Sequence, residues 1–86
     1  MGLVVRDLAP QQAAQLGLGS KSVPIVTQVV PGSAADREGM KVNDVIVEAN
    51  GTPDPTSAQL ATAAGGGTLL VRVKRGESYF YAALKK

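Results

Sequence analysis

The chain contains no cysteine, no histidine and no tryptophan. Without cysteine it forms no disulfide and offers no thiol nucleophile, and either redox compartment suits it. Without histidine there is no Ser-His-Asp or Cys-His catalytic unit and no zinc site of Cys/His type. Aromatic residues are reduced to Tyr79, Phe80 and Tyr81, bunched together. Single-strand nucleic-acid binders spread aromatics between basic residues as stacking platforms, so no nucleic-acid partner is expected. No stretch approaches the ~18 apolar residues of a membrane span, and no signal-peptide pattern is present. Catalysis, a metal, a cofactor and a membrane span are therefore not expected of this segment.

What remains is ordinary globular material. The 86 residues are 44% hydrophobic and 19% charged, the mix of a folded domain rather than a disordered one. That length suits one domain covering residues 1–86, burying roughly 60–65% of the unfolded surface. Met1-Gly2 followed at once by a strand-like run fits a domain excised from a larger protein, with its targeting segment elsewhere. The net charge of +2 is uneven: Arg72, Lys74, Arg75, Lys85 and Lys86 stand against Glu77 alone, leaving −2 for the rest. The bland account of that basic end is a solvated strand face.

Local patterns predict the elements. Leu3-Val4-Val5-Arg6 reads as a strand. Pro10 opens a short helix over 11–16, where its missing N–H costs nothing. Ala9 is a poor cap for that helix, and Gly17 is the stop. Residues 19–22 form a loop, and 24–30 a second strand. Ser33 with Asp36 three residues on caps a brief helix that Gly39 ends. Residues 45–49 form a third strand, closed by Asn50-Gly51, a strong two-residue turn signal. Pro53 and Pro55 speak against regular pairing through 52–55. Thr56 and Gln59 form a capping box for a helix over 57–64, which Gly65-Gly66-Gly67 terminates. In 69–74, Leu69, Val71 and Val73 alternate with Leu70, Arg72 and Lys74. A turn at 75–78 leads to a last strand over 79–84. The class is α+β: a small, partly open antiparallel barrel or sandwich of about five strands, capped by two or three short helices.

The order of these elements and their turn residues resembles a PDZ domain, and more narrowly the circularly permuted PDZ domains of bacterial HtrA-type (Deg) serine proteases. The resemblance rests on Gly2-Leu3-Val4-Val5-Arg6-Asp7-Leu8-Ala9-Pro10, then Pro31-Gly32-Ser33-Ala34-Ala35-Asp36-Arg37-Glu38-Gly39-Met40. Asn43-Asp44-Val45-Ile46, Asn50-Gly51 and the closing Leu69-Leu70-Val71-Arg72-Val73-Lys74-Arg75-Gly76 complete it. It implies capture of C-terminal or extended peptide segments of substrate or regulator proteins by strand addition. It also implies a protease domain in the parent chain and a periplasmic or cell-envelope location. The hydrophobic–Gly–hydrophobic loop that meets the peptide carboxylate matches Met1, Gly2 and Leu3, and runs on into Val4. The pairing strand and pocket correspond to Leu3, Val4, Val5 and Arg6. Leu3 and Val5 share one face, while Val4 and Arg6 point the other way.

The opposite wall of such a groove is the helix over 57–64. Leu60 and Ala64 share one of its faces, as do Ser57 and Ala61, and either pair could line the groove while the other meets the core. Family members that read Ser or Thr in the ligand place a histidine at the start of this helix. Its absence here implies a ligand ending in apolar residues. The competing function is an assembly PDZ domain that contacts other domains or subunits and binds no peptide.

Overall fold

The computed structural model describes residues 2–17 and 23–85. The predicted loop over 19–22 and the site residue Met1 lie outside them. The described residues form one antiparallel sheet with three short helices. The order of elements is β1 (Leu3–Asp7), α1 (Pro10–Gln15), β2 (Pro24–Val29), α2 (Ala34–Arg37), β3 (Val45–Ala49), β4 (Thr52–Pro53), α3 (Ser57–Ala64), β5 (Thr68–Arg75) and β6 (Ser78–Lys85). In space the strands run β1-β2-β3-β5-β6, with β4 on β3.

The main core forms where alternate strand residues meet α2 and α3. Val26, Ile46, Ala49, Leu69, Val71, Val73, Ala82 and Leu84 are buried there with Ala35, Met40 and Leu60. The alternation in β5 is the predicted one. Across the sheet a second cluster packs under α1: Leu8, Ala13, Val23 and Val45, with Ile25 and Val47 against them. A register shift between Ile46 and Glu48 inserts one residue into β3. This lets Ile46 and Ala49, three apart, both face the main core, because a bulge resets strand parity.

Beside this apolar packing lies one polar anchor. Asp44 is 1% exposed and accepts from Arg75 Nε at 2.8 Å and from a second guanidinium nitrogen at 2.7 Å. The Lys41 N–H also donates to it, and Arg75 donates onward to the Gly39 carbonyl. The hydrogen bonds that Arg75 donates to Asp44, assisted by the carboxylate's charge, raise the Arg75 pKa above its ordinary value despite some desolvation.

The pairing of β4 corrects the sequence expectation. Thr52 and Pro53 pair with Ala49 and Glu48, because Asn50 and Gly51 both adopt positive φ (48° and 82°) and fold the chain back as a tight hairpin. A two-residue edge strand accommodates proline, since no further strand needs its missing N–H. The described residues thus form six strands, this short edge pair adding to the about five expected, within the predicted α+β class. At the first helix, Ala9 contributes no side-chain cap. Gln12 reaches back instead, its Oε1 accepting from the Ala9 N–H at 3.3 Å.

Candidate functional site

β1 ends the strand order, and no other strand of the described residues covers its outer side. Its peptide groups alternate in direction. The Gly2 carbonyl accepts from the Val30 N–H at 2.7 Å, and the Leu8 N–H donates to Val23 at 2.9 Å. Even-numbered residues thus aim at β2, and alternation turns the peptide groups of Leu3, Val5 and Asp7 toward the open side. The shift in the β1–β2 register falls between Val4 and Val5. It is absorbed on β2 by Thr27, whose hydroxyl donates to the Val4 carbonyl at 3.1 Å, so the alternation of β1 stays intact.

Beside that edge runs a cleft of about 370 Å³ lined by Leu3, Val5, Ser57, Leu60, Ala61, Ala64, Gly65 and Leu69. Leu3 and Val5 form one wall and α3 the other, and no lining residue is charged. The small side chains of α3 keep the cleft open: only Leu60 of that helix is buried, at 5% exposure. The two candidate faces of the helix do not divide as an either-or. Ser57 and Ala61 line the cleft together with Leu60 and Ala64, and Leu60 belongs to the core as well. The other side of α3, with Ala58, Gln59, Thr62 and Ala63, borders a separate hollow against Ala49 and Pro55. Val4, 47% exposed, and Arg6, also exposed, point away from the cleft.

Local chemistry positions each wall. The Thr56 hydroxyl accepts from the Gln59 N–H at 3.1 Å, and the Gln59 side chain accepts from the Thr56 N–H at 2.9 Å. This is the capping box the sequence predicts. Asp7 adds a tie that sequence reasoning missed: the Ser57 N–H donates to Oδ1 and the Ser57 hydroxyl to Oδ2, both at 2.8 Å. One end of the cleft is thereby pinned. At the other end Gly2 holds a φ of 89°, a conformation that favours glycine. Gly65 and Leu69 also line the cleft without having been singled out. The parity of Asp7 with Leu3 and Val5 was readable in the sequence. Its partner fifty residues away was not.

The PDZ domain family profile matches residues 25–75. The chain belongs to the PDZ domain family. A PDZ domain is a non-catalytic module, and among the described residues no group of three acidic, His or Cys side chains could hold a metal. No helix among them is long and apolar enough to cross a membrane.

The relatives are HtrA-type serine proteases. A probable periplasmic serine endoprotease, DegP-like, from Ectopseudomonas mendocina is 35% identical over 66 residues, 77% of this chain and 14% of that protein. The serine protease HTRA3 of Mus musculus is 31% identical over 83 residues, 88% of this chain and 18% of that protein. This PDZ domain therefore spans less than a fifth of the curated relatives it matches. Among solved structures, the HtrA3 PDZ domain bound to a phage-derived ligand (FGRWV) superposes with a TM-score of 0.86. It is 28% identical, and the match covers 99% of this chain and 81% of that one.

Proposed function

We propose that this PDZ domain captures the C-terminal residues of other polypeptides, as a peptide-binding regulatory module of an HtrA-type serine protease in the periplasm or cell envelope. One observation carries the reading: the open edge of β1 runs directly along an uncharged cleft whose far wall is α3. An extended peptide laid antiparallel on that edge would pair with the outward peptide groups of Leu3 and Val5. Its terminal carboxylate would meet the N–H groups around Gly2 and Leu3, in charge-assisted hydrogen bonds worth about 1.5–3 kcal/mol each. Its last side chain would settle among Leu3, Val5, Leu60, Ala64 and Leu69. The names of the relatives support the protease context and the periplasmic location. In that context the domain would hold a substrate near a catalytic domain outside this chain, or relay its occupancy.

The ligand printed for the HtrA3 PDZ domain, FGRWV, is the natural probe. Titration into ¹⁵N-labelled domain should give saturable amide shifts along residues 2–6 and 57–64. Affinity should be of micromolar order, about −8 kcal/mol, because association and ordering costs offset much of the contact energy. The same peptide with an amidated C terminus should bind far more weakly. Shifts that survive amidation would refute terminal capture, and no shifts at all would favour an assembly module.

A further inference from the structure

The cleft is uncharged along its lining, but a charge stands at one end. Asp7 shares the cleft-facing side of β1 with Leu3 and Val5, and its carboxylate is held at the first turn of α3 by two donors from Ser57, both at 2.8 Å. Each oxygen accepts one of those bonds. A carboxylate has about four acceptor sites, so these two bonds leave capacity for another donor. The tether also keeps the carboxylate from swinging into solvent, since leaving would break both bonds. Arg6, next to it in sequence, points the other way and donates to Gln12 at 3.3 Å.

We propose that Asp7, positioned by Ser57, makes this end of the cleft select a cationic side chain on the third residue from the ligand's C terminus. The inference rests on the peptide-capture reading and deepens it. A strand added antiparallel to β1, with its last residue opposite Leu3, places its third-from-last residue opposite Val5. Side chains two apart share a face and advance about 3.4 Å per residue, so that side chain also points at α3, beside Ser57 and Ala61. A lysine or arginine there reaches the Asp7 carboxylate with its stem lying against Val5 and Ala61. A glutamate or aspartate meets a like charge that Ser57 holds in place. A neutral side chain meets neither effect.

The test compares FGRWV, FGAWV and FGEWV against the domain and its Asp7→Asn and Ser57→Ala variants, each checked for a native amide spectrum. A partly exposed pair of this kind is worth a few-fold in affinity. The arginine peptide should therefore bind roughly three- to fivefold tighter than the alanine peptide, and the glutamate peptide weaker by a similar factor. The spread should collapse in Asp7→Asn, which keeps an acceptor for Ser57 but removes the charge. Ser57→Ala, which keeps the charge but removes the hydroxyl that holds Oδ2, should retain the order with a narrower spread. In the unaltered protein, raising salt from about 20 to 500 mM should narrow the spread, because the Debye length shrinks. Equal affinities for the three peptides overturn the inference, as does a spread that Asp7→Asn leaves unchanged. If the amidated and free-acid forms of FGAWV bind alike, peptide capture itself fails and takes the inference with it.

Discussion

A β-carbon placed on Gly2 would lie 2.1 Å from the Cβ of Ser33. The two residues meet because the start of β1 folds against the cap of α2, where the Ser33 hydroxyl donates to the Val30 carbonyl and accepts from the Asp36 N–H. Val30 in turn donates its own N–H to Gly2. The glycine is thus required twice, by its φ of 89° and by a contact no side chain fits.

Gly2→Ala should therefore displace the start of β1. The expected cost is about 1–3 kcal/mol, combining a positive-φ penalty with a steric clash. Affinity for FGRWV should fall by more than global stability does, since the displaced groups are those proposed to meet the carboxylate. Denaturant melts paired with peptide titration separate the two effects.

Leu3→Asp should leave the fold intact and abolish peptide binding. Leu3 is only partly buried at the mouth of the cleft, so the domain can solvate the new carboxylate. A bound terminal carboxylate would face it across an apolar pocket. A folded variant that binds FGRWV normally would remove Leu3 from the pocket.

Leu60→Ala should destabilise the domain by about 2–4 kcal/mol, because it hollows out the one buried side chain of α3. The same change enlarges the cleft, so surviving peptide affinity should shift toward ligands with bulkier terminal side chains. Thermal melts and a peptide series ending in Val, Leu and Phe check both outcomes.

Arg75→Met should cost about 2–3 kcal/mol by leaving Asp44 buried without its bidentate partner. That is less than for a fully buried pair, because nearly half of the Arg75 side chain is in water. On the pH axis the sign is definite. Asp44 raises the Arg75 pKa, so this contribution is complete below the unfolded arginine value and is lost only as pH rises through the still higher folded one. Titration of Arg75 should therefore produce no change in stability between about pH 7 and 10. Denaturant melts of the unaltered protein and Arg75→Met across that range should differ by a constant amount.

Much of the architecture was legible because it is locally encoded. The capping box of Thr56 and Gln59, the hairpin at Asn50-Gly51 and the alternation of Leu69, Val71 and Val73 each depend on residues within a few positions of one another. The two-residue strand β4 was not legible, because proline propensity speaks against pairing while the turn before it enforces pairing. Nor was the shared burial of Ile46 and Ala49, which breaks strict alternation and becomes readable only once the bulge in β3 is seen.

By itself the sequence pointed to an α+β domain resembling a PDZ domain, with Leu3 and Val5 on the strand that borders the cleft, Gly2 just before it, and an α3 wall of small residues. The elements and the class follow from backbone propensity, turn chemistry and side-chain period, all short-range, whereas the PDZ type and the roles of strand and wall follow from the family resemblance of those motifs. Only the tertiary structure decided that Ser57, Leu60, Ala61 and Ala64 line the cleft together, and that Asp7 closes on Ser57 across fifty residues. The rotation of a helix is set by what its largest side chain finds to bury against. For α3 that is Leu60 against a core assembled from four different strands and α2, an outcome no local window contains.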